Sequence, residues 1–277
     1  MSTLGSGRDK DAELALAIAA ERARATSELG QALRSYVYPV AALLGLIVLW
    51  QLGTAVFAIP LFILPSPTQI VREIVDKAPL LAEHGLVTLS EILIGFCVSV
   101  LVGVPLAVAM TYSPALERVL YPLLVGSQTI PKVALAPLFI VWLGFGLAPK
   151  ILMTFMISFF PIVIGAAIGL ATIELELLYL ARSMGASGWQ IFWKVRLPYA
   201  LPSLFGGLKV GITLAVVGAV VGEFVGADKG LGYLIQLANG RVDTPLLLAA
   251  VVMMSATGIV LYLVVERLEP LLRRAFA

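Results

Sequence analysis

Residues 92–116 read ILIGFCVSVLVGVPLAVAMTYSPAL and carry no charged side chain between Glu91 and Glu117. A helix of about 20 apolar residues crosses the hydrocarbon core of a bilayer, which is about 30 Å thick. This stretch of 25 residues is therefore long enough to span a membrane. Five further stretches are similarly apolar: residues 36–59, 116–144, 151–173, 204–225 and 246–265. The sequence predicts an all-α integral membrane protein with about six transmembrane helices.

The composition excludes several classes of protein. Of the 277 residues, 60% are apolar and 13% are charged, and the mean hydropathy is +1.00. A soluble domain has about twice that share of charge, so this chain could not cover a water-exposed surface. We therefore exclude an ordinary cytosolic enzyme, a disordered protein and a nucleic-acid binder. The single His84 and single Cys97 cannot form a disulfide framework or a zinc site, and we predict neither catalytic nor metal-binding residues.

Two patterns within the spans predict how the helices behave. The third span, residues 116–144, contains Pro122, Pro131 and Pro137 and is expected to be broken, because proline interrupts helical hydrogen bonding. Glycines recur four residues apart in the fourth and fifth spans, which lets helix backbones approach closely in lipid. The spaced glycines are Gly165, Gly169, Gly207, Gly211, Gly218, Gly222 and Gly226.

The distribution of Lys and Arg predicts the orientation in the membrane. With six spans and both termini in the cytoplasm, thirteen Lys and Arg residues lie inside and five outside, Lys150 among the five. This bias obeys the positive-inside rule. We expect residues 1–34 to be a cytoplasmic tail, residues 35–270 the transmembrane domain, and residues 271–277 a cytoplasmic C-terminal tail. The long polar loop of residues 174–202 is then cytoplasmic as well.

The loop of residues 174–202 has the pattern of two short helices. Gly185 suits the left-handed position that ends the first helix, and Ser187 can cap the second. We expect Leu197 and Pro198 to stop that second helix. Its aromatic residues, including Trp189 and Phe192, must be buried either against the membrane face of the same chain or in a groove of a partner.

Here the sequence resembles a known family. Nine residues separate Gly185 from Val195, and one more precedes Leu197 and Pro198, as in the cytoplasmic "EAA" loop of binding-protein-dependent ABC importer permeases of the MetI-like type. Of the three opening positions of that pattern, Ala181 alone is retained. Similar motifs occur at residues 64–67, 129–138, 182–187 and 230–235. These motifs look like those of nitrate, sulfonate and taurine permeases and of their relatives for pyrimidine precursors and riboflavin.

The resemblance implies a fold, partners and a location. The fold would be the MetI-like core with one extra N-terminal span, in the inner membrane of a bacterium. Two permease copies would work with two cytoplasmic ATPase subunits, which bind ATP and Mg²⁺, and with a periplasmic or lipid-anchored binding protein. The chain itself lacks the P-loop pattern G-x-x-x-x-G-K-[ST], so it would bind no cofactor and would not hydrolyse ATP.

The resemblance also assigns residues to coupling with the ATPase. These would be Ala181, Gly185, Ala186, Ser187, Trp189, Phe192, Leu197 and Pro198. Gly185 and Ala186 would permit close docking, and Trp189 and Phe192 would fill the groove of the ATPase.

Ionisable residues near the spans are the other candidates. A charge in the bilayer is costly, so it faces water or the protein interior. We expect Thr129, Pro131 and Lys132 of the broken span, together with Glu223, to line the translocation pathway. The alternatives are that Lys132 pairs with Glu91 or Glu223, or that it reaches an interface. Glu91 itself and His84 are expected at the outer membrane interface.

Two other functions compete with an importer permease. An intramembrane enzyme would need a cluster of carboxylates or histidines, and the sequence offers none. An ion-coupled secondary transporter would show inverted repeats and paired acidic residues in broken helices, and we find one broken span without a repeat. Sulfonates, nitrate, taurine, pyrimidine precursors and riboflavin all remain as substrates, with a slight preference for the pyrimidine or riboflavin type.

Overall fold

The computed structural model describes residues 37–276, and no strand occurs among them. The α-helices have these bounds: α1 Val37–Val56, α2 Pro67–Asp76, α3 Ala78–Tyr112, α4 Pro114–Ser127, α5 Ala136–Leu143, α6 Leu147–Ala171, α7 Leu175–Ser183, α8 Gly188–Ile191, α9 Leu197–Gly226, α10 Leu231–Gly240 and α11 Thr244–Phe276. A 3₁₀ turn, Lys132–Leu135, precedes α5, and a π-helical turn, Phe192–Arg196, joins α8 to α9. The predicted tail of residues 1–34 lies outside the described residues.

The spans agree with the number expected from the sequence. Five helices are long and apolar enough to cross a membrane: α1, α3, α6, α11 and the continuous helix Gly188–Gly226. A sixth span is formed if α4 and the segment Lys132–Leu143 are counted together; they meet at an angle of 84°. The predicted break in the third span is therefore confirmed. The break lies between Ser127 and Lys132 and contains Pro131, and Pro137 lies in the first turn of α5.

The described chain divides into two compact units. Residues 37–60 and 64–68 form the first, and residues 61–63 and 69–276 form the second. In the first unit, Gln51 Oε1 accepts hydrogen bonds from the backbone N–H and the hydroxyl of Thr68, both at 3.2 Å. The apolar side chains of α1 are largely exposed, as expected for a helix whose surroundings are lipid.

In the second unit, α6 packs against α9 through the spaced glycines predicted from the sequence. A Cβ atom on Gly207 would lie 2.6 Å from the carbonyl oxygen of Pro161 and 3.0 Å from Gly165 Cα. A Cβ on Gly218 would lie 2.6 Å from Thr154 Cα, and one on Gly222 would lie 2.9 Å from Lys150 Cα. Because these neighbours are backbone atoms, the two helices can approach this closely only with glycine. The glycine prediction is confirmed for this pair of helices.

The prediction that Leu197 and Pro198 stop the loop helix is wrong. The helix continues from Gly188 through the π-helical turn into α9 and ends at Gly226. Pro198 lies in the first turn of α9, directly after the wider π turn. A wider turn leaves room for the proline ring, and a missing N–H costs little there. The loop of residues 174–202 is therefore joined rigidly to a span.

Candidate functional site

The loop of residues 174–202 forms a helical hairpin with the turn predicted from the sequence. Gly185 has φ +80°, the left-handed conformation that ends α7. Ser187 caps α8: its hydroxyl oxygen accepts the N–H of Gln190 at 3.3 Å, and the Gln190 side chain accepts the N–H of Ser187 at 2.8 Å. Both local predictions are confirmed. The hairpin geometry is thus determined by residues close together in the sequence.

The hairpin has its own apolar core. Ile173, Leu178 and Ile191 are buried together, and Ala181 and Ala186 pack against them with Val195. The backbone N–H of Ala186 also donates to the carbonyl of Ala181 at 3.1 Å. Ala181 and Ala186 therefore hold the two halves of the hairpin together, so the hairpin can act as a unit.

Outside this core, the hairpin exposes large apolar side chains. Trp189 is 71% exposed and Met184 is 79% exposed. Phe192 turns instead toward α3, with its ring centroid 6.3 Å from that of Tyr112 and 6.3 Å from that of Trp189. Of the two aromatic residues assigned to docking, Trp189 is available on the surface, and Phe192 supports it from behind. Leu197 and Pro198 lie half-buried at the start of α9.

A second region, which we call the buried polar cluster, lies between α3, α6, α9 and the start of α10. Its members are His84, Thr88, Glu91, Lys150 and Glu223, and all of them are buried. His84 and Glu91 were expected from the sequence at the outer membrane interface. Both belong to α3, which begins at Ala78, and their side chains are buried against neighbouring helices through contacts with Gly230 and Lys150.

An ion pair forms the deepest part of the buried polar cluster. Lys150 Nζ lies 2.8 Å from Glu91 Oε1, and the two residues are 3% and 0% exposed. Charges removed from water in this way must be paired and hydrogen-bonded. Sequence reasoning missed Lys150, which was counted in an outer loop. One signal could have found the pair: Glu91 and Lys150 both precede uncharged stretches that start from the same side of the membrane.

The buried polar cluster also holds the start of α10. The Gly230 N–H donates to His84 Nδ1 at 2.9 Å, and the Leu231 N–H donates to the Thr88 hydroxyl oxygen at 2.7 Å. The first N–H groups of a helix have no partner within the helix, so these contacts satisfy donors that would otherwise be buried without an acceptor.

Glu223 joins α9 to the same helix start. Its carboxylate accepts the N–H of Gly232 and, at 2.6 Å, the hydroxyl of Thr88. A Cβ on Gly230 would overlap the Glu223 carboxyl group, and Gly230 has φ +123°. Glycine is thus required there both by space and by conformation.

The other predicted pathway residues lie elsewhere, at the bend of the broken span. Lys132 Nζ donates to Gln128 Oε1 at 2.8 Å, and the Thr129 hydroxyl donates to the carbonyl of Gly126 at 2.8 Å. Pro131 directly precedes the 3₁₀ turn. The alternative that Lys132 pairs with Glu91 or Glu223 is wrong. Glu91 forms its ion pair with Lys150, and Glu223 accepts hydrogen bonds from Thr88 of α3 and Gly232 of α10.

Two ion-pair contacts connect the loops on either side of α10 to the residues around the beginning of α3. Lys77 Nζ lies 2.6 Å from a carboxylate oxygen of Glu73 and 3.3 Å from one of Asp243. The hydrogen bond to Glu73 raises the pKa of Lys77, burial opposes this, and Asp243 reinforces it. Lys229 Nζ lies 2.8 Å from Glu83, and that hydrogen bond raises the pKa of Lys229. Within the described chain, no three His, Cys, Asp or Glu side chains are grouped as a metal site would require.

Known proteins match this chain over most of its spanning helices and over the hairpin. Residues 99–274 match the family described as the binding-protein-dependent transport system inner membrane component. The formylaminopyrimidine transport permease protein ThiX of Halalkalibacterium halodurans is 37% identical over 86% of this chain and 96% of its own length. The riboflavin transport system permease protein RibX of Chloroflexus aurantiacus is 42% identical over 85% of this chain and 88% of its own length.

A third relative and a solved structure complete the comparison. The taurine transport system permease protein TauC of Escherichia coli is 30% identical over 81% of this chain and 84% of its own length. A chain from the inward-facing MetNI methionine ABC transporter matches with a TM-score of 0.61 at 22% identity, over 73% of this chain and 98% of that chain. The likeness to that structure concerns the fold and confirms the predicted MetI-like helical core.

Proposed function

This chain belongs to the family of inner membrane components of binding-protein-dependent transport systems, and we propose that it is the permease subunit of an ATP-driven importer. It is a multi-pass membrane protein. Both termini and the loop of residues 174–202 lie in the cytoplasm in this proposal. Two copies of the chain form the pathway, and a periplasmic or lipid-anchored binding protein delivers the solute.

The observation that carries this proposal is the exposed apolar face of the hairpin. Trp189 and Met184 stand out from a rigid hairpin whose own core is already complete. Large exposed apolar side chains on a rigid support are typical of a docking surface. In the proposal, a separate ATPase subunit binds this face, and ATP with Mg²⁺ is bound and hydrolysed there.

The continuous helix from Gly188 to Gly226 supplies the mechanical connection. A displacement of Trp189 by the ATPase is passed to α9 without an intervening flexible joint. The glycines of α9 pack directly against the backbone of α6, so the two spans move together. Closure of the two ATPase subunits would therefore draw the hairpins together and rock the spans about the pathway.

We expect Trp189→Ala to weaken binding of the ATPase by on the order of thirtyfold, as loss of a central interface tryptophan commonly does. The measurement is the amount of P-loop ATPase that co-purifies with the full-length chain, together with ATP-dependent uptake in proteoliposomes. Trp142→Ala is the matched control, because Trp142 on α5 is similarly exposed but lies outside the hairpin. An equal loss of ATPase in both variants, or in neither, would contradict the proposal.

Gly185 provides a second test of the hairpin. Because Gly185 has φ +80°, Gly185→Val places a β-branched residue where such residues are strained, and we expect coupled transport to fall at least about tenfold. Gly185→Asn should retain most transport, since asparagine tolerates this conformation. A Cβ at Gly185 would meet no other heavy atoms within 4 Å, so steric crowding does not contribute to the difference between the two variants. Equal transport by the two variants would contradict a role for the turn.

For the solute, we propose a heterocycle of the riboflavin or aminopyrimidine type. This is supported by the higher identity to the riboflavin and formylaminopyrimidine permeases, 42% and 37%, than to the taurine permease, 30%. The test is uptake of labelled riboflavin, formylaminopyrimidine and taurine by the complete transporter with its own binding protein. Uptake of taurine in preference to both heterocycles would overturn this substrate class. Failure of ATP to drive uptake of any solute would instead count against the importer itself.

A further inference from the structure

A cavity of about 300 Å³ lies where the hairpin meets the ends of the spanning helices. Its walls include Thr111 at the end of α3, Glu117 and Tyr121 in α4, and Leu170 at the end of α6. Thr111 and Leu170 stand at the ends of spanning helices and share the cavity with the charged Glu117 and Arg196. Charged side chains are costly within hydrocarbon, which favours a position for this cavity near the lipid headgroups.

Two side chains of opposite charge line this cavity, Glu117 and Arg196. The guanidinium carbon of Arg196 stands 5.1 Å from the centroid of the Tyr112 ring, which holds the cation in place. Among the ion pairs formed within residues 37–276, none joins Glu117 to Arg196. The cavity therefore presents one negative group and one positive group to a ligand.

The other residues that line the cavity favour a ligand that joins a polar headgroup to a hydrocarbon chain. Leu170 and Leu178 are buried apolar side chains in the cavity wall, and Thr111 and Tyr121 add hydroxyl groups. A guanidinium binds a phosphate through paired hydrogen bonds. A carboxylate accepts hydrogen bonds from a primary ammonium group, which has three donors. A phosphoethanolamine headgroup with its acyl chains meets all of these requirements.

We propose that this cavity binds a phosphatidylethanolamine molecule of the surrounding membrane. Its phosphate lies against Arg196, its ammonium group against Glu117, and its acyl chains follow the apolar wall. The bound headgroup bridges α4 to the π-helical turn that starts α9, and so steadies the hairpin where it joins the span. This proposal rests on the chain's being a membrane protein and does not depend on which ATPase or solute it uses.

The test is native mass spectrometry of the full-length chain with phosphatidylethanolamine, phosphatidylcholine and phosphatidylglycerol of equal acyl chains. We expect phosphatidylethanolamine to be retained at least about fivefold more than either competitor. Arg196→Gln should lower its retention about tenfold, and Glu117→Gln should abolish the preference over phosphatidylcholine, whose headgroup has no N–H to donate. Arg182→Gln is the matched control, because Arg182 is an exposed cation of the hairpin that does not line the cavity.

A substitution that leaves both charges in place keeps the proposal falsifiable if the charge variants fold poorly. Ala171 is exposed and lines the cavity, and Ala171→Trp should fill the entrance and displace the lipid, while the thermal unfolding temperature measured without phosphatidylethanolamine stays unchanged. Retention of phosphatidylglycerol equal to that of phosphatidylethanolamine would overturn the proposal. So would unchanged lipid retention in Arg196→Gln and Ala171→Trp, since the lipid would then bind elsewhere.

Discussion

We expect the Lys150→Met variant to leave little folded protein in the membrane. The substitution leaves the Glu91 carboxylate, which is fully buried, without the ammonium group 2.8 Å away. Breaking a buried ion pair by removing one partner costs about 3–5 kcal/mol, which is a large part of the stability of a typical protein. The measurement is the yield of monodisperse protein after detergent extraction, with the thermal unfolding temperature of whatever protein remains.

Two further variants separate the lost ion pair from other effects of the change. Glu91→Gln combined with Lys150→Met removes both charges, and we expect it to recover much of the lost yield. Lys132→Met is the matched control. The amine of Lys132 binds only Gln128 among the hydrogen bonds described, and this contact is exposed, so the expected cost is under about 1 kcal/mol. A Lys150→Met protein as stable as the Lys132→Met protein would contradict the structural role of the pair.

The same comparison shows why the sequence drew attention to Lys132 and not to Lys150, the lysine of the buried ion pair. Lys132 stands between prolines inside an apolar stretch, and this local pattern indicates a charged residue within a span. Lys150 stands at the edge of its apolar stretch and therefore resembles a loop residue. The partners Glu91 and Lys150 are 59 positions apart on different helices. Their contact depends on the rotation and depth of α3 against α6, and hydropathy along one segment does not determine either quantity.

Features determined by short-range interactions were predicted more successfully. The turn at Gly185 and the cap at Ser187 depend on contacts within five residues, and both were confirmed. The continuation of the helix through Pro198 was not anticipated, because Leu-Pro ordinarily ends a helix. It depends on the π-helical turn at Phe192–Arg196, which has no simple sequence pattern. Burial of His84 and Glu223 around α10 likewise required the packing of three separate helices.

The crossing of α6 and α9 leads to the second prediction with a large effect. Gly207→Ala should destabilise the protein by about 1–3 kcal/mol, because the new Cβ would lie 2.6 Å from a backbone oxygen that cannot move aside alone. Gly206→Ala is a control one residue away. A Cβ there meets no atom within 4 Å, and alanine favours a helix over glycine by about 1 kcal/mol. Thermal unfolding of both variants in lipid nanodiscs gives the comparison.

The pair of glycine variants also tests whether α9 carries the motion of the hairpin. Gly207→Ala must move α9 away from α6, because Pro161 and Gly165 contribute backbone atoms to the contact. In protein that remains folded, ATP-dependent uptake should therefore fall more than binding of the ATPase, since the proposed docking face at Trp189 is unchanged. Gly206→Ala should alter neither quantity. Equal stability and uptake in the two variants would mean that the close approach of these spans is not needed, and that the hairpin moves the pathway by another route.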